Sequence, residues 1–144
     1  MRTIPPIAGL LLSVLLAPAQ TQELTSAPDG AEAYIQSPAD GTEVSSPVTV
    51  RFGLRGIGVA PAGVQLPNTG HHHLLIDVGE ADMPPPNLPL PATNQVVHFG
   101  LGQTETELNL EPGQHTLQLV LGDYLHTPHS PPVLSEVITI TVTE

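Results

Sequence analysis

From about Tyr34 to the C-terminus the chain is built of short runs in which apolar and polar residues alternate, broken by clusters of proline and glycine. Val48, Val50, Phe52 and Leu54 share one phase, with Thr49, Arg51 and Arg55 in the other. A period of two places successive side chains on opposite faces, as in a half-buried strand. After a Gly/Pro-rich loop ending at Gly70, His72, Leu74, Ile76 and Val78 fall on one face and His71, His73, Leu75 and Asp77 on the other. A fourth run sets Val97, Phe99 and Leu101 against His98. The fifth carries Thr106, Leu108 and Leu110, the sixth His115, Leu117, Leu119 and Leu121, and the seventh Leu134, Ile138, Ile140 and Val142. The stretch from Met83 to Pro91 holds five prolines, which lack the amide donor a central strand needs, so it reads as a stiff surface loop.

Seven strands in this length predict an all-β domain, an immunoglobulin-like or fibronectin-type-III-like seven-stranded β-sandwich. In that topology alternate loops lie at opposite ends. The loop before the third strand, the end of the fourth, and the loop between the sixth and seventh share one pole.

The N-terminus follows a different pattern. Met1-Arg2 precedes an apolar run from Ile7 to Leu16 and then Ala17-Pro18-Ala19. A basic start, a short apolar stretch and small residues at −3 and −1 form a secretory signal, predicting cleavage after Ala19 and a periplasmic or extracellular protein. The run is too short to cross a bilayer core of about 30 Å. The predicted organisation is a signal peptide at 1–19, a mobile polar segment at 20–30, and the sandwich at 31–144.

Charge narrows the partners. The chain has 3 basic and 14 acidic residues, a formal net charge of −11, and no lysine. Such a surface repels nucleic acid and anionic lipid and attracts cations. There is no cysteine, so packing alone must stabilise the fold, and imidazole is the one borderline-soft ligand present in quantity.

Six of the seven histidines lie in three runs, His71-His72-His73, His98, and His126-Thr127-Pro128-His129, all assigned to the shared pole. His71 and His73, two apart on a strand, project from one face and can chelate one ion. With His98, His126 and His129 they make a candidate mononuclear site for copper(II) or zinc. Affinity should fall below about pH 6.5 as imidazoles protonate. His72 points inward with Leu74. His115 falls at the opposite pole, in phase with Leu117, and reads as a structural hydrogen-bonding residue. Asp77, Glu105 and Asp123 are candidates to add an oxygen ligand or to orient a histidine.

These features favour a metal carrier, store or sensor with no catalytic residue. One alternative is a copper- or zinc-dependent oxidoreductase on a β-sandwich; the other is a metal-free immunoglobulin-like interaction module, whose protein partner the sequence does not name. The serines sit in turns and strand ends without a nucleophile elbow, which disfavours a hydrolase.

Four blocks carry a resemblance: Thr69 to Asp77 (TGHHHLLID), His98 to Glu105 (HFGLGQTE), Pro112 to Leu119 (PGQHTLQL), and Gly122 to Val133 (GDYLHTPHSPPV). Together they closely resemble the signature of an uncharacterised family of small secreted bacterial proteins, over a span from about Tyr34 to the C-terminus. The resemblance implies secretion and no particular activity.

Overall fold

The computed structural model describes residues 23–144; the expected signal peptide lies outside them. Nine strands occur among the described residues: β1 (Glu32–Ser37), β2 (Glu43–Ser45), β3 (Val48–Arg55), β4 (Gly58–Val59), β5 (Thr69–Ile76), β6 (Val96–His98), β7 (Glu105–Leu108), β8 (Gly113–Gly122) and β9 (Ile138–Thr143). The only helical turn among them is a 3₁₀ segment at Glu80–Asp82. Seven of the strands overlap the alternating runs of the sequence. The two additions, β2 and β4, are very short parallel pairings, Glu43–Ser45 on β9 and Gly58–Val59 on β5, too brief to leave an alternating signature.

The strands form two layers. One sheet has the order β1-β3-β7; the other has the order β2-β9-β8-β5-β4, with β6 also paired to β5. Between the layers, Ala33, Val48, Val50, Phe52 and Leu108 pack against Leu74, Leu117, Leu119, Leu121, Ile140 and Val142. The fold is all-β with a sandwich-like arrangement, as the alternation predicts.

The far side of the larger sheet departs from expectation. A half-buried strand should leave one face wet, yet every residue of β5 after Thr69 is buried. Leu75 packs with Val96, Val120 and Val78, and with Met83 and Leu90 from the proline-rich segment. That segment forms no strand, but it covers the sheet. A backbone bond from Leu90 N to His126 O, 2.8 Å, joins it to the loop after β8. Both faces of β5 are therefore dry, and this burial encloses the histidines.

Among the described residues of the 20–30 segment, Ala27 N donates to Ser130 O (3.1 Å), Ser130 N to Thr25 O (2.9 Å), and Thr25 Oγ1 to Asp123 Oδ2 (2.6 Å). One other expectation needs correcting. Leu134, assigned to the seventh strand, instead makes an isolated bridge to Val120, and the strand proper begins at Ile138.

Candidate metal centre

β5 and β6 run antiparallel with His73 opposite His98, and β5 and β8 run antiparallel with His71 opposite Gly122. The alternation of β5 sends His71 and His73 to the covered face and His72 to the core. After β8 the chain reverses at Asp123. Its Oδ1 accepts the amides of Leu125 (2.9 Å) and Thr127 (3.0 Å), and its own amide donates to Thr127 O (2.8 Å). A short polar side chain that binds its own downstream backbone amides makes a tight turn. The turn holds His126 at φ +68° and sends its ring back towards β5.

The result is a group of four imidazoles, His71, His73, His98 and His126, each offering a ligand nitrogen within 4.8 Å of the others. His71 Nε2 lies 3.1 Å from His126 Nδ1, so one neutral ring donates to the other. His71 and His73 are buried, His126 is half-buried and His98 is exposed, so the group has a closed floor and an open rim. No carboxylate belongs to it.

Glycine provides the space. A β-carbon on Gly122 would meet the ring of His73, and one on Gly100 would lie 2.7 Å from His98 Nε2. Neither glycine has a positive φ, so close approach explains the residue better than backbone freedom does.

Burial and the neighbouring rings disfavour the charged forms of His71, His73 and His98. Desolvation, then the neighbouring His126 and His98, push His71 down to about 4. Desolvation, followed by His71, His98 and His126, pushes His73 down to about 3. His98 is also lowered, by desolvation and by His126. Nδ1 of both His71 and His73 is buried without a hydrogen-bond partner. Uncharged imidazoles with free lone pairs are what a transition-metal ion requires.

His129, expected among the ligands, stands outside the group. It is buried, with Nε2 3.2 Å from Thr69 O and Nδ1 3.4 Å from Leu121 O, and a β-carbon on Gly70 would lie 2.9 Å from its Cε1. His129 thus ties the loop to the backbone of β5 and β8.

The other assignments resolve cleanly. His72 is in the core, 5.1 Å from the Phe52 ring centre, with neither ring nitrogen bonded. His115, on β8, lies near the far end of β5, with Nδ1 2.8 Å from Asp77 Oδ2 and Nε2 2.9 Å from Glu111 O. Asp77 thus leaves the face of His71 and His73, because the chain turns after β5 with Asp77 at φ +55°. Glu105 pairs with Arg51 at 3.2 Å. Of the three acids considered, Asp123 alone serves the site, by holding the turn. The sequence signal for the glycine cradle was available in Gly100 and Gly122, two glycines beside histidine-bearing segments.

The family described as Domain of unknown function (DUF4399) matches residues 50–143, a span that contains all four clustered histidines. No curated protein and no solved structure matches the chain.

Proposed function

Since the chain belongs to the family Domain of unknown function (DUF4399), whose description assigns no activity, we propose from the site itself that it is an exported protein binding one copper(II) or zinc ion. His71, His73, His98 and His126 are the ligands. The observation that carries this reading is the convergence of four imidazoles from three chain segments, with glycines making room for two of the rings.

Four nitrogen ligands fill a four-coordinate shell. Structural and storage sites are closed in this way, whereas catalytic zinc sites keep a position for water or substrate. A carrier or store therefore fits the donor set better than an oxidoreductase does. Export rests on the leader-like sequence at 1–19, and the acidic surface favours encounter with cations.

The test is metal analysis of untagged protein exported by its own leader, followed by titration with copper(II) and zinc. The expected result is one ion per chain. Replacing His73 and His126 together with Ala should abolish tight binding while the circular dichroism of the sheet persists. Failure of the wild-type protein to bind either ion more tightly than about 10 μM, near −7 kcal/mol, would remove the reading.

A further inference from the structure

The six distances among the four rings carry information about which ion fits. Between ring centres they are 4.8 Å for His71–His73, 5.0 Å for His71–His98, 5.0 Å for His71–His126, 5.1 Å for His73–His98, 4.7 Å for His98–His126 and 6.0 Å for His73–His126. Four imidazoles around an ion, with metal–nitrogen bonds of about 2.0–2.1 Å, place each ring centre about 3.2 Å from the metal. A tetrahedron then gives six equal separations of about 5.2 Å. A square plane gives four of about 4.5 Å and two opposite ones of about 6.4 Å.

The observed set resembles the tetrahedron. A square requires both members of an opposite pair to be long. Opposite the single long separation, His73–His126, stands His71–His98 at 5.0 Å. We propose that the site is tetrahedral, the geometry that zinc accepts and copper(II) disfavours, an inference that rests on the metal-binding reading above.

The backbone decides which separations can change. His71 and His98 are held by adjacent strands of one sheet, in a register fixed by His73 opposite His98 and Leu74 opposite Val97. With both backbones fixed by that ladder, widening their separation to make a square would require both rings to rotate apart. The long separation ends on His126, which is carried by a turn. Moving that turn inward completes a tetrahedron without disturbing a strand. Zinc has no ligand-field preference and accepts this shape, whereas copper(II) favours tetragonal geometry. No sulfur ligand belongs to the group, and no carboxylate does either, so the geometry rests on the nitrogen cage alone.

Copper(II) binds nitrogen sites more tightly than zinc in general, so relative affinity alone is a poor test. Cobalt(II) reports geometry directly. Wild-type protein would be loaded with cobalt(II), its visible spectrum recorded, and the ion displaced with zinc; separately, copper(II) would be added and its electron paramagnetic resonance spectrum measured. The expected results are the intense visible bands of tetrahedral cobalt, one-for-one displacement by zinc, and a copper(II) spectrum with the reduced parallel hyperfine splitting of a distorted tetrahedron. Faint six-coordinate cobalt bands, or an ordinary tetragonal copper spectrum, would overturn the geometry while leaving the metal-binding reading intact. If zinc, cobalt(II) and copper(II) all fail to bind, both fall. In the His126→Ala variant the intense cobalt bands should shift or weaken as water replaces the ring, while the circular dichroism stays unchanged; an unaltered cobalt spectrum would also overturn the proposal.

Discussion

A β-carbon on Gly122 would lie 2.7 Å from Cε1 of His73, inside the contact limit of two carbons. The ring occupies the volume that any other residue at position 122 would need. The same β-carbon would lie 3.3 Å from the carbonyl carbon of His126, so it would press on two ligand segments at once. Gly122→Ala should therefore weaken metal binding by tenfold or more, about 1.4 kcal/mol, through displacement of the His73 ring. Isothermal titration against zinc would measure it. Affinity within twofold of wild type would show that the ring shifts without leaving the site.

Asp123→Ala should separate loop order from the ligands themselves. The carboxylate accepts two turn amides and the Thr25 hydroxyl, so its removal frees the turn that positions His126. Loss of about 1–3 kcal/mol of stability is expected, together with weaker metal binding. Asp123→Asn keeps an acceptor for the two amides and should recover most of both. An Asn variant as impaired as the Ala variant would argue against the turn as the cause.

His115 and Asp77 should stabilise the fold without affecting the metal. The bonds to Asp77 and Glu111 raise the His115 pKa above its ordinary value of 6.5. A raised folded-state pKa means that the contribution is complete below pH 6.5 and is lost as pH rises through the raised value. Denaturant melts of wild type and His115→Ala should differ by about 1–2 kcal/mol at pH 6 and converge at higher pH, with equal zinc affinity. A lower zinc affinity in the variant would place His115 in the site.

The buried histidines act in the opposite direction. Desolvation pushes His72 down to about 4, in the same range as His71, so the folded state stays unprotonated where the unfolded chain takes up protons. Stability of the metal-free protein should thus fall as pH drops from 6.5 towards 4. His72→Leu removes two unbonded buried nitrogens beside Phe52. It should be neutral or stabilising by about 1–2 kcal/mol at pH 7, with a larger advantage at pH 5. A destabilised His72→Leu protein at pH 5 would contradict this account.

Metal binding should also resist acid more than ordinary histidines allow. His71 and His73 remain neutral well below pH 6 because their pKa values are pushed to about 4 and about 3. Zinc affinity should therefore fall less steeply between pH 7.5 and pH 6 than at a site of four unperturbed imidazoles. Competition with a chelator at the two pH values would measure it.

The alternation made the strands legible, and with them the split of His71 and His73 from His72, because a period of two survives in any sheet with distinct faces. His98 was legible once β6 pairs with β5. The exclusion of His129 was not, since it depends on the positive φ of His126, and a Pro-rich loop gives no periodic signal. The burial of the site was also hidden. It depends on Leu90 and Met83 folding over the sheet, and a proline-rich run carries no pattern that says what it covers. Asp77 looked like a neighbour of His73 by phase and is turned away because the strand ends at Ile76.

Three consecutive histidines on β5 face two different environments, and the distinction rests entirely on strand register. A slip of one residue between β5 and β8 would turn His71 and His73 into the core against Phe52 and leave His72 alone at the site. This strand should therefore tolerate changes of residue better than changes of length. A conservative swap at Leu74 alters packing by one side chain, whereas a single deletion between Thr69 and Leu75 exchanges inside for outside along the strand. Natural variation and laboratory libraries alike should show substitutions here and no insertions or deletions.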